Sequence, residues 1–448
     1  MQAKITYAGT ASRSFAEGSD LLKQLADLAV PAKQVERVTR RIGAERVSER
    51  DAAVAAFVAL PLVEKFGVPA GVTAPALAVV MPDGGRLQIR DEVNKEATKP
   101  PQPAVPDAHA VAAVATGPPQ PAGMVSAEAE AGPVTPEAQE WEEEDVASCR
   151  SGHWREDKIG LLLTMDSDVS EVDPCPHIPA SFVDPLRIPK LVRELKKNAK
   201  AGADGVSETE EPEAAAAALA EANYEPPTVA QRQVVASRKT WPLFAPLLAQ
   251  AAWALGFQGA ERKAFVGDGS KNNWALHRRY FGSFVAILDF IHALSYVFAA
   301  AMAGRRFTAG WAVYQQWIEW VWQGRVAEVI AALEVRQAEL GLPQEGDATT
   351  SPRCVVDKTL TYLRNQQDKM NYAEYRRQGL PITSSHVESV VKQINQRVKG
   401  TEKFWSEPGS EAVLQLRADY LSDGEPLEDF WQRRQAAATG QRRYRRVG

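Results

Sequence analysis

The sequence predicts an α/β fold: a mixed sheet with flanking helices, preceded by an N-terminal helical region and interrupted by an all-helical segment. Three observations lead there. Short β-branched and apolar runs alternate with helix-length segments from residue 75 to residue 290; helical periodicity then continues unbroken over 291–380; and the first 70 residues hold helix-like runs only. With 448 residues, 45% hydrophobic content and 11 Trp, the chain can build two or three domains.

The N-terminal region, 1–70, contains LLKQLADLAVPAKQVERVTRRIG (21–43), two helix-like runs separated by a turn at Ala29-Val30-Pro31. Leu25, Val35 and Val38 keep the spacing of a helix-turn-helix core, and the second run carries Lys33, Arg37, Arg40 and Arg41. That pattern suits a recognition helix reading DNA, and it also suits a helical hairpin with a solvated charged face. Next, PALAVVMPDGGRLQIR (75–90) reads as a strand, a tight turn at Asp83-Gly84-Gly85 and an antiparallel partner, which open the sheet domain over 75–92.

Residues 93–150 are dominated by Pro, Ala, Gly and Glu with almost no aromatic residue, a composition expected to remain a disordered insert. The sheet domain resumes over 151–290. DKIGLLLTM (157–165) is a third strand, a second low-complexity stretch covers 199–227, and VAQRQVVASRKTWPLFAPLLAQAAWALGF (229–257) reads as helical. KAFVGDGS (263–270) and SFVAILDF (283–290) read as two more strands.

In the helical segment 291–380, Trp311, Tyr314, Ile318 and Val321 share one stripe, read as core packing. Segment 381–422 starts with a helix that Ser384 or Ser385 can cap, with Val387, Val391, Ile394 and Val398 on its apolar face. The neighbouring face holds Glu388, Lys392, Asn395 and Lys399, a carboxylate in the first turn with two cations behind it. Such a face suits a metal site that runs into a phosphate track. The C-terminal tail, 423–448, ends in Arg442, Arg443, Arg445 and Arg446, which suit phosphates or a solvated end alike.

Net charge is −5, yet residues 91–173 hold 18 Asp/Glu against 5 Lys/Arg, leaving 47 Lys/Arg against 39 Asp/Glu elsewhere. The parts expected to be ordered are therefore basic, in keeping with a polyanionic partner. Three scattered cysteines exclude a disulfide framework, and no apolar run is long and uninterrupted enough for a membrane span, so a cytoplasmic, nucleoid-associated protein is expected. Cys149, His153, Cys175 and His177 make a poor zinc set, because the one-residue gap between the last two is unlike zinc chelation.

The residue types that stand out are carboxylates after strands. Phosphodiester chemistry with two Mg²⁺ ions needs oxygen ligands converging on one point, and Asp and Glu supply them. Asp83 and Asp268 each end an expected strand and precede a glycine, and Glu388 can lean over from a late helix. An Asp-Gly pair is also an ordinary turn, and Asp289 with His292 reads as a helix cap beside a packing residue.

Taken together, VVMPDGG, FVGDGSKNNW, ILDFIHA, LPITSSHVES and RVKGTEKFW, with LQLRADYLS downstream, resemble the insertion-sequence DDE transposases related to the Mutator-like superfamily. The resemblance implies an RNase H-like domain split by a helical insertion, with a C/D-x2-H motif at the end of its fifth strand. It implies Asp83, Asp268 and Glu388 as catalytic metal ligands, and Asp289 and His292 as supporting residues. The cofactor would be Mg²⁺ or Mn²⁺, two ions, and the partners double-stranded DNA, both transposon terminal inverted repeats and target, bound by a homodimer or larger assembly. Lys392, Arg397, Lys399 and Lys403 would neutralise phosphates, Trp405 would stack on an unpaired base, and Lys33, Arg37, Arg40 and Arg41 would read the repeat. A nuclease without strand transfer, or a DNA-binding descendant that no longer cuts, remain alternatives.

Overall fold

The computed structural model of the chain describes residues 1–89, 141, 154–200, 224–400 and 403–437. The expected disordered insert apart from Trp141, most of the stretch 199–227, Cys149, His153 and the tail arginines lie outside the described residues.

Three helices, α1 (Gln2–Ala11), α2 (Phe15–Ala26) and α3 (Ala32–Ala59), and a short α4 (Leu62–Lys65) precede the sheet. Six strands form it: β1 (Leu77–Ile89), β2 (Trp154–Asp166), β3 (Thr228–Ser237), β4 (Arg262–Gly267), β5 (Val285–Leu288) and β6 (Phe404–Trp405). Their order is β3-β2-β1-β4-β5, with β6 beside the far end of β1. The β1–β2 and β2–β3 pairs are antiparallel; β1–β4, β4–β5 and β1–β6 are parallel. Between strands lie α5 (Arg187–Lys200), α6 (Trp241–Ala254) and α7 (Lys271–Tyr280). After β5 comes a helical run, α8 (Phe290–Met302), α9 (Phe307–Trp322), α10 (Val326–Leu340), α11 (Pro352–Gln366) and α12 (Tyr372–Arg377). The described chain then closes with α13 (Ser385–Val398), α14 (Glu407–Leu421) and α15 (Pro426–Ala436).

The core runs through the sheet into the helical run. Leu77, Val79, Met81, Leu161, Phe265 and Ile287 are buried on the strands, and Tyr314, Ile318 and Val321 on α9 are buried with them, so the α9 stripe is core as read.

Two secondary-structure expectations are corrected. Asp83-Gly84-Gly85 is no turn: β1 continues through it, in register with Ile159, Lys158 and Asp157 of β2. Neither glycine takes a positive φ, which the hairpin turn would need. Gly85 is there for room, since a Cβ would stand 2.9 Å from the Asp157 carboxylate. Likewise 229–257 is not all helix; its first part is edge strand β3, and helix begins only at Trp241. Cross-strand pairing along nine positions of β2 outweighs the helical propensity of Ala and Gln there.

The N-terminal region departs from a compact helix-turn-helix. Val35 and Val38 are buried but Leu25 is 82% exposed, and the second helix runs on to Ala59 along α14.

Candidate active site

Register places the carboxylates. Val80 pairs with Phe265 and Gly267 with Leu288, so the residues that follow, Asp83 on β1, Asp268 after β4 and Asp289 after β5, stand at one level across three parallel strands. Asp83 therefore lies within β1, not at its end. Pairing of β1 with β4 stops at Val80 and pairing with β6 starts at Gln88, which leaves that edge of β1 open around Asp83. The same interval explains Pro82 in an inner strand, because no neighbour there asks for its missing N–H.

Each carboxylate has its own holder. The Gly84 N–H donates to Asp83 Oδ1 at 2.7 Å. Asp268 Oδ1 accepts from Ser270 N at 2.9 Å and Asn273 Nδ2 at 2.8 Å, while Tyr362 Oη donates to the Asp268 carbonyl at 2.9 Å. Asp289, fully buried, caps α8: its Oδ2 accepts from His292 N at 2.8 Å and pairs with His292 Nδ1 at 2.7 Å. Its Oδ1 accepts from Ser384 N at 2.7 Å, and Phe290 N donates to Ile382 O at 2.9 Å. These bonds fasten the start of α13, and with it Glu388, to the end of β5.

The cluster is acidic and crowded. Burial, then the charge of Asp268, pushes Asp83 up to about 8, with Glu388 adding to the repulsion and the Gly84 N–H opposing it. Glu388 is raised too, by burial and by Asp289, against the pull of His292 and Lys392 and a hydrogen bond from Ser384. Burial alone would depress His292, but its hydrogen bond to Asp289 and the charges of Asp289, Asp268 and Glu388 lift it to about 10.

One ligand atom each from Asp289, His292 and Glu388 lies within 4.8 Å of the others. In that trio both Asp289 oxygens already accept hydrogen bonds, from His292 and Ser384, and His292 Nδ1 is held by Asp289, which leaves His292 Nε2 and the Glu388 carboxylate as its open donors. Asp83, Asp268 and Glu388 are half-buried hard oxygen donors, and the charges of Asp268 and Glu388 both act on Asp83, a repulsion that a cation would relieve. That donor set fits Mg²⁺ or Mn²⁺.

The expected DNA contacts divide. Lys33, Arg37 and Arg41 are exposed along α3, with Lys33 3.7 Å from Glu36. Arg40 is half-buried, paired with Glu36 at 2.9 Å and close over Trp405. Lys392 lies near Glu388, and Lys399 sits 5.3 Å over the Trp154 ring. Arg397 and Trp405 are corrected: both are buried. Arg397 Nε and Nη2 donate to Gly9 O at 3.1 and 2.9 Å, its guanidinium covers Phe15, and Trp405 Nε1 donates to Val398 O at 2.8 Å. Lys403 caps the end of α13, its Nζ donating to Gln396 O at 3.0 Å, and burial followed by the charge of Arg397 lowers it to about 8. Arg397 and Trp405 are thus turned away from solvent, while Lys403 is half-buried.

Sequence reading missed Asn273, Tyr362 and the Ser384 N–H. Asn273 had a signal, as the third residue of a helix capped by Ser270; Tyr362 comes from 94 residues away and had none. Among the described residues no helix is long and apolar enough to cross a membrane. A scan against models of known protein families gives no match, and neither does a search among curated proteins.

Proposed function

We propose that the chain is a DNA transposase of the metal-dependent DDE kind, with an RNase H-like catalytic domain and α8–α12 as its helical insertion. The observation that carries this reading is that Asp83 and Asp268 stand level on β1 and β4 beside the end of β5, where ligand atoms of Asp289, His292 and Glu388 lie within 4.8 Å of one another. In the proposed site these three residues hold Mg²⁺ or Mn²⁺, which when bound would activate water and steady the leaving oxygen of a phosphodiester. Asn273 and the Ser270 N–H fix one oxygen of Asp268 and leave the other facing the cluster. Asp289 holds the His292 ring by Nδ1, so its Nε2 proton points away from Asp289, a donor for a phosphate oxygen. Asp289 also sets the height of Glu388 through Ser384, which makes it a positioning residue. Duplex DNA, the terminal repeats first and the target afterwards, is the proposed partner, engaged by a homodimer or larger assembly on the nucleoid.

The test incubates the protein with labelled duplexes made from the sequences flanking its gene, a target plasmid and Mg²⁺ or Mn²⁺, beside Asp268→Asn. Joined products that vanish in the variant are expected. Hydrolysis without joining would leave a nuclease, and binding without either would leave a DNA-binding protein.

A further inference from the structure

At the end of the helical run farthest along α8 from His292, four arginines gather at one corner. The turn after α8 passes through Gly304 (φ +68°), where a Cβ would stand 3.2 Å from Arg336 Nη2 and 3.4 Å from Pro352. That contact ties together the end of α8, the start of α9, the end of α10 and the start of α11. Arg305 Nη1 donates to Ala301 O and Arg336 Nη2 to Ala303 O, both at 3.1 Å, so these two close the C-terminus of α8. Arg306 is exposed at the head of α9, and Arg353, in the first turn of α11, is one-third exposed with Asp347 at a loose 3.7 Å. The carboxylates that face them are Glu339, bound to Arg336 at 2.8 Å, and Asp347. Four guanidinium groups thus meet two carboxylates. Arg305 is lowered by burial and then by the charge of Arg336, as crowded cations are. Beside them Phe307 is 50% exposed and stacks on Trp311 at 5.7 Å, an aromatic face left in solvent next to the arginines.

We infer that this corner is a docking surface for the phosphate backbone of duplex DNA, with Arg306 and Arg353 making the contacts and Arg305 and Arg336 supporting them. It rests on the proposed function in one respect: the duplex is the one engaged at the carboxylates. The 13 residues of α8 span about 20 Å at 1.5 Å per residue, which is about six base pairs of duplex. A duplex with a phosphate at the carboxylates that runs in the direction of α8, over the elements covering it, therefore reaches the corner within its first turn. Planar guanidinium forks suit phosphate oxygens, and the excess of positive charge has no partner of its own within the corner.

The test measures binding of the full chain to a labelled 40-base-pair duplex of mixed sequence across salt concentrations, for wild type, Arg306→Gln with Arg353→Gln, and Arg306→Lys with Arg353→Lys. Arg364→Gln, three turns along α11 from Arg353 and already paired with Glu334 at 2.6 Å, serves as the control, and thermal melting checks that all are folded. The double Gln variant is expected to lose about two from the salt slope and about tenfold in affinity, while the double Lys variant keeps most of both. Nicking of a supercoiled plasmid with Mn²⁺ should need more of the Gln variant to saturate but reach the same rate. A folded Gln variant with unchanged slope, or one that matches Arg364→Gln, overturns the docking surface and leaves the transposase reading standing. A wild-type chain that neither binds nor nicks DNA overturns both.

Discussion

Two regions of this molecule concentrate charge, and they treat it in opposite ways. In the seam between α1–α3 and α13–α14, nearly every cation is engaged by the chain itself: Arg397 on Gly9 O, Arg417 on Thr10 O and Ala11 O, Arg46 on the Asp419 carboxylate. At the carboxylate cluster, Asp83 and Glu388 are pushed up because burial and like charge meet too little compensation. Partner accounting is what separates a structural charge from a functional one, since a buried charge left uncompensated is costly unless something outside the chain completes it.

The largest effect expected from breaking this contrast is at the cluster. Asp268→Asn should lower DNA cleavage by about 10²–10³-fold or more, while thermal melting without metal stays level or rises. A large loss of melting temperature would move Asp268 from the functional to the structural side. Next, Arg397→Ala should destabilise the fold by about 3 kcal/mol in denaturant titration, because it removes two charge-assisted hydrogen bonds and a guanidinium stacked on Phe15. An unchanged midpoint would mean the seam is not held as described. Asp289→Asn should cost about 10–100-fold in activity or metal affinity with the fold retained, as the support of a site residue does.

A pH titration sharpens the comparison. Asp83 is raised to about 8 and His292 to about 10, so the folded chain binds more protons than the unfolded one between about pH 4 and 8 at Asp83 and between about 6.5 and 10 at His292. Stability then falls as pH rises through both windows. Melting temperatures in chelator should decline from pH 5 to 9, with a shallower decline for Asp83→Asn and recovery on adding Mg²⁺ to wild type. The smallest effect concerns Arg37 and Arg41: with exposed side chains on α3, Arg37→Ala with Arg41→Ala should shift stability by no more than about 0.5 kcal/mol. Any change it brings in DNA affinity then reports contact, not folding.

Much of the site was legible in the sequence because a carboxylate after an apolar run, followed by glycine, signals the end of a parallel strand. Asp268 follows that rule in full, and Asp289 follows an apolar strand but is succeeded by Phe290. Asp83 does not: the strand continues past it, and Gly84-Gly85 gives clearance for Glu156 and Asp157. The expected count of five strands before residue 290 came out right through two opposite errors, one strand divided at Asp83 and one strand taken for helix at 228–237, while α5 between β2 and β3 was not expected. Local pattern cannot tell an edge strand rich in Ala and Gln from the first turns of a helix; only its pairing with β2 decides. For the same reason Arg397 and Trp405 looked like DNA contacts. Their spacing on α13 and β6 was visible, but the N-terminal helices that cover them lie nearly 400 residues away.

The long-range closure of that seam has a mechanical consequence. Where Gly43 passes α14, a Cβ would run into the Ala412 backbone, so α3 and α14 lie against each other with no room for a side chain. Arg46 then bolts the same two helices through Asp419, and Arg434 of α15 reaches Glu45. The first helices are therefore welded to the frame that carries Glu388 and cannot swing as a module on a tether. On the proposed function, a duplex held by the exposed side of α3 would meet the carboxylates at one fixed angle, and a chain shortened by its first 60 residues would lose that frame.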